Sequence, residues 1–271
     1  MTDWAFWLPR ILAGALAGGV SGLMGVYIVG MRIPFLAVCV AHAALAGAVF
    51  AGLAGLTGAI GIVPALLAAV AAALALGWLE SSDAQLDSNV LIGVLFSLSM
   101  GLAFLGIGLY GILGRPDYAV RNLLWGSLTY CGWPEVSRMA VAGALLGGGV
   151  LLFRKELRAI LFSRLHATAA GVPVGLVWTG FLVLSSAALT VNFQTVGGLM
   201  IYSLITNPAL AAMQLTRGHD RLIVLSIALG ATSSIVGFFI SAWTDLPTGA
   251  TIVIVSSLIV GIAILIRRFR A

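Results

Sequence analysis

Two side chains with metal-ligating chemistry stand together in an otherwise apolar stretch: Cys39 and, three residues later, His42. On a helix this spacing puts thiol and imidazole on one face, and these donors suit zinc and similar ions. The same pair also fits a core histidine bonded to a carbonyl beside a cysteine acting as a small hydrophobe. A second polar group is Asn207-Pro208. Proline frees a backbone carbonyl one turn back and Asn207 adds an amide, either to line a pathway or to mark a kink. A third is the basic run Arg154, Lys155, Arg158, Arg164, His166, in which Leu157, Ile160, Leu161 and Leu165 alternate with the cations. That pattern fits an interfacial helix on anionic lipid, or a docking helix for a cytoplasmic partner. No metalloprotease His-Glu spacing, nucleophile elbow or Walker A sequence occurs, so nothing here supports enzyme chemistry.

The elements that carry these residues are set by solvent. Of 271 residues, 61% are hydrophobic and 8% charged, where a soluble domain has roughly a quarter charged. A globule with so few charges cannot face water, so lipid is the solvent for most of the chain. The net charge of +5 therefore reads as loop arginine, not as a nucleic-acid surface. Cys39 and Cys131, far apart and both in apolar surroundings, indicate no redox compartment.

Charge-free intervals locate the spans, since each needs about 20 apolar residues. Residues 11–31, 88–114, 139–153, 222–244 and 246–266 give one span each. Residues 33–79 give two, broken at Gly55 to Gly58, and residues 165–216 give two, broken near Asn192, Phe193 and Gln194. The expectation is an all-α membrane bundle of nine helices, or eight if one segment is re-entrant, forming a single transmembrane domain over residues 1–271. His42 lies roughly 12 Å past Pro34, near the bilayer midplane. Gly14, Gly18 and Gly22, four apart, line one face for close helix packing.

Placing Arg154 to Arg164 in the cytoplasm puts ten of the fourteen Lys and Arg inside and leaves Arg10, Arg115, Arg121 and Arg138 outside. The amino terminus is then external and the carboxyl terminus cytoplasmic. The acidic loop from Glu80 to Asp87 falls inside, a tolerable conflict because acids count little. Met1 to Pro9 shows no basic leader or cleavage site, so no removable signal is expected. Asn122 to Glu135, with Trp125 and Trp133, reads as an external aromatic anchor or re-entrant element, and Asp245 to Gly249 as an external turn.

Taken in order, several segments resemble the metal-ion ABC transporter permease family, importers of zinc, manganese or ferrous iron. Gly25 to Phe35 is similar to its first helix and Arg-containing exit. Ala41-His42-Ala43-Ala44-Leu45-Ala46-Gly47 is similar to its Ser-His-Ala-x-Leu-Pro-Gly motif. Ile92 to Ser97, Leu124-Trp125-Gly126-Ser127-Leu128, Val196 to Met200 and Asp245 to Gly249 follow in family order.

The resemblance implies a type II importer-like fold, a second permease copy and two cytoplasmic ATPase subunits. It also implies an external or periplasmic metal-binding protein, an inner or plasma membrane location, no permanent cofactor, and a divalent metal, zinc or manganese, as cargo. The Ala-x-x-x-Gly segment Ala167 to Gly171 falls at the family's coupling helix, which makes Arg154 to Gly171 the expected ATPase contact. His42, Cys39 and Asn207 are the expected pathway residues. Departures are Val38 where the family carries Asp, Ser88 and Asn89 in place of an acid, and Ala46 for Pro. Alternatives are a permease for a chelated metal or cobalamin-like cargo and, in another class, an uncoupled channel or membrane enzyme.

Overall fold

A computed structural model describes residues 4–56, 58–81, 87–116, 128, 131–197 and 200–270. Among these, every long regular element is a helix: α1 (Trp4–Gly30), α2 (Leu36–Leu53), α3 (Gly58–Ser81), α4 (Ser88–Ile112), α5 (Trp133–Leu152), α6 (Arg154–Phe162), α7 (Arg164–Ala169), α8 (Val174–Val196), α9 (Ile201–Leu215), α10 (His219–Thr244) and α11 (Thr248–Arg270). Eight of them are long and apolar enough to cross a bilayer. The exception among the nine expected spans is α9, whose 15 residues rise only about 22 Å against a hydrocarbon core of roughly 30 Å. The break between α8 and α9 also falls later than Asn192. Asn192 is buried within α8, and the chain turns at Gly197, whose φ is +92°. A polar side chain leaves backbone hydrogen bonding intact, whereas a left-handed residue stops it. The expected element at Asn122 to Ser127, the loop acid Glu80, and Gly198 and Leu199 lie outside the described residues.

Local chemistry sets the ends. Asp87 caps α4 by accepting a hydrogen bond from Asn89 N at 2.7 Å. After α1, Arg32 takes φ +61°, and Ile33 N and Arg32 N donate to the carbonyls of Ile28 and Val29. That closes a Schellman turn on a residue other than glycine.

The chain forms two compact units. The first contains α1, α9, α10 and α11 with the start of α5. Its α1–α10 seam is the one the glycine spacing predicts: a β-carbon at Gly18 would collide with Gly230 O, and one at Gly22 with Ser226 O. Ser226 Oγ fills the gap, donating to Gly22 O at 2.7 Å. Leu128, Cys131, Met139, Phe238 and Ile252 pack with Ala13 and Ala17 as its core.

The second unit contains α2, α3, α4, α6, α7 and most of α5 and α8. Here α2 packs on both α3 and α4, close enough that Gly47 lies against Pro64 and Gly106 against Val49. Tyr110 Oη donates to Val49 O at 3.3 Å and Arg115 Nη1 to Leu53 O at 2.6 Å. Both bonds tie the end of α4 to the end of α2.

Candidate functional site

The imidazole of His42 sits in the middle of α2, a helix apolar all round and buried on most of its residues. Only 4% of His42 is exposed. Its Nδ1 lies 2.8 Å from Val38 O, a contact in which Nδ1–H donates to a carbonyl left partly available by the helix. The proton on Nδ1 leaves the Nε2 lone pair as the ring's ligating position, the arrangement that metal-binding histidines share. Phe96 of α4 meets the ring edge to face at 5.1 Å and 81°, and Phe35 meets Phe96 at 4.9 Å and 71°. Two aromatic rings thus restrict the imidazole's rotation. Cys39 is buried one turn earlier on the same helix, so the chain brings together one nitrogen and one sulfur donor. Among the described residues no group of three His, Cys, Asp or Glu side chains forms a full ligand set. Two donors from one turn suit an ion that is passed on, because conduction requires binding weak enough to release.

Asn207 lies in the other unit, on α9. Its Nδ2 donates to Ser256 Oγ at 3.0 Å and Ser257 Oγ at 3.1 Å, which joins α9 to α11. Pro208 is buried inside α9 and does not end it.

The basic run folds as two short helices. Along α6, Arg154, Lys155 and Arg158 share one exposed face while Leu157 and Ile160 are buried on the other. Spacing of three and four residues separates the two faces. Ser163 then breaks the helix with extended backbone and caps α7, its Oγ accepting from His166 N at 3.3 Å and lying 3.0 Å from His166 Nδ1. Ala167 anchors α7 from its buried side. Gly171, with φ +81°, closes it: Gly171 N and Val172 N donate to the carbonyls of Thr168 and Ala167, each at 3.0 Å. The Arg164 guanidinium lies 5.2 Å from the Trp178 ring, pinning α7 to the first turns of α8. Between these fixed ends Phe162 and Leu165 are 84% and 78% exposed.

Phe96, Ser163, Phe162 and Trp178 are contributors that spacing alone does not single out. Ser163 carries a local signal, a hydroxyl three residues before His166 at a helix start. The others depend on tertiary contact or exposure.

The ABC 3 transport family's sequence profile matches residues 3–267. A membrane protein of Synechocystis, itself uncharacterized, is 30% identical over 98% of this chain and 92% of its own. A manganese transport system membrane protein of Listeria monocytogenes is 27% identical over 98% and 92%. Among solved structures, PsaBC from Streptococcus pneumoniae in complex with Fab superposes with a TM-score of 0.83 at 23% identity, over 96% of this chain and 91% of that one. That likeness extends the all-helical membrane fold to nearly the full length. With the profile spanning almost every residue, the chain belongs to the ABC 3 transport family, as the membrane subunit of a transporter whose ATPase is a separate polypeptide.

Proposed function

We propose that this membrane subunit imports a divalent metal ion, manganese or zinc. The observation that carries the proposal is the buried His42, with Nδ1 committed to Val38 O and Nε2 left to bind an ion. Manganese transport by the Listeria relative, stated in its name, supports the cargo class. In this mechanism an external metal-binding protein delivers the ion, and His42 Nε2 holds it transiently with Cys39 as neighbour. Cytosolic ATPase subunits dock on α6 and α7, where Arg154, Lys155, Arg158, Arg164 and His166 surround the segment closed by Ala167 and Gly171. Closure of the ATPases moves that segment and, through α8, the spans, giving alternating access across a pair of permease copies. The amino terminus then faces outward and the carboxyl terminus the cytosol, in the inner or plasma membrane.

The test is ATP-dependent uptake of manganese and of zinc by proteoliposomes holding the complete complex. His42→Ala is expected to lower uptake by about tenfold or more with the complex intact. Unchanged uptake by that variant removes His42 from the pathway.

A further inference from the structure

The face of α8 that points away from α7 carries a feature the transport reading does not use. A groove of about 760 Å³ opens between α3 and α8, within the range of ligand pockets, and like them it is walled almost entirely by apolar groups. It exists because Gly175 and Gly180 leave space where side chains would stand, with nothing within 4 Å of a β-carbon at either position. Leu176, Gly180 and Leu184 also form one wall of a second, smaller cavity whose other wall includes Phe153 and Leu157. The two hollows therefore meet on one strip of α8, and the second runs to the base of α6. Trp78 stands at the groove's end, 70% exposed, the position that interfacial tryptophans hold in membrane helices.

Charge follows directly. Phe153 borders the smaller cavity, and the next residue begins the exposed basic face of α6: Arg154, Lys155 and Arg158. The single acid on that helix, Glu156, projects to a different side. An apolar slot in the hydrocarbon layer, ending at a tryptophan beside three cations, matches a molecule with acyl chains and a negative headgroup.

We propose that this groove and the basic face of α6 form a binding site for an anionic phospholipid. The acyl chains lie along Leu176, Gly180 and Leu184, and the headgroup phosphate meets Arg154, Lys155 and Arg158. The lipid holds α6 at the membrane surface, leaving α7 and its exposed Phe162 and Leu165 for the ATPase. The site is independent of which ion the transporter carries.

The test is native mass spectrometry of the detergent-purified complex titrated with phosphatidylglycerol or phosphatidylcholine. The expected result is a preference of roughly tenfold or more for phosphatidylglycerol, undiminished by excess inorganic phosphate, which has the charge and lacks the chains. R154Q/K155Q/R158Q should abolish the preference while general lipid binding persists. Gly180→Leu, which fills the groove, should reduce retention of both lipids. The proposal is overturned by equal retention of the two lipids by the unmodified complex, by a preference that survives both variants, or by displacement with inorganic phosphate. It is equally overturned if Leu176→Cys cross-links two copies of the chain, because the groove is then covered by protein.

Discussion

Cys131 shows how burial sets reactivity at a single residue. It is 3% exposed, and desolvation, reinforced by the charge of Glu135 and opposed by Arg10 and Arg138, pushes its thiol up to about 12. At pH 8 only about one molecule in ten thousand carries the nucleophilic thiolate. The folded complex is therefore expected to alkylate at Cys131 very slowly. The rate should keep climbing about tenfold per pH unit beyond pH 9, where an unfolded thiol levels off. Because the folded value lies above the unfolded one, this group's contribution to stability is present below about pH 9 and is lost as pH rises toward 12. Iodoacetamide kinetics by peptide mass spectrometry at stepped pH, in a Cys39→Ser background, measures it. A plateau near pH 9 from folded protein contradicts the burial argument. The His42 ring differs, since its chemistry rests on direction: one nitrogen committed to a carbonyl and one left over.

At the scale of elements, small residues decide which helices touch. Gly18 and Gly230 face each other so closely that a β-carbon on either meets the other's carbonyl, and in lipid such close packing is a main source of helix association. Gly18→Val is expected to force α1 and α10 apart, costing about 1–3 kcal/mol in the manner of overpacked cores. Gly108→Ala, with open space around it, should leave stability unchanged or slightly raised, since alanine favours helix. Thermal melts of the two variants in the same detergent compare them directly, and equal melting temperatures would mean the seam is not tight. This contact was legible in the sequence because the glycines recur every four residues. The spans were legible for a different reason: charge is excluded from hydrocarbon, so the intervals between Arg, Lys and acids outline α1 to α4 and the last two helices. Legibility fails where the determinant is not local. Asn192 looks like a break, yet the helix runs on to Gly197, because ending a helix requires backbone that turns left-handed. Asn207 looks like a pathway amide, but its donors meet Ser256 and Ser257 some fifty residues away, a pairing no local pattern encodes. His42 is conspicuous as the titratable group inside a span, whereas Phe96, which steadies it, comes from α4 and is visible only in the fold.

For the molecule as a whole, the question is how work enters a chain with no nucleotide-binding sequence of its own. Family membership assigns ATP hydrolysis to a partner, so force must arrive through a surface that is both exposed and stiff. Helix α7 is held at its start by the Ser163 cap, at its end by the Gly171 turn, along its inner side by Ala167 and laterally by Arg164 on Trp178. Four restraints on six residues leave little freedom to absorb a push, and Trp178 carries displacement into α8. The exposed Leu165 is the natural point of contact, because an apolar side chain left 78% exposed outside the spans marks a partner surface. Leu165→Glu is expected to leave the permease folded, since exposed substitutions shift stability by about 0.5 kcal/mol or less. It should reduce co-purification of the ATPase and lower ATP-dependent uptake by about tenfold or more. A full complement of ATPase together with normal uptake in this variant would place the drive surface elsewhere. Normal assembly with lost uptake would instead locate Leu165 in the transmission step, because the two subunits would hold each other without one moving the other.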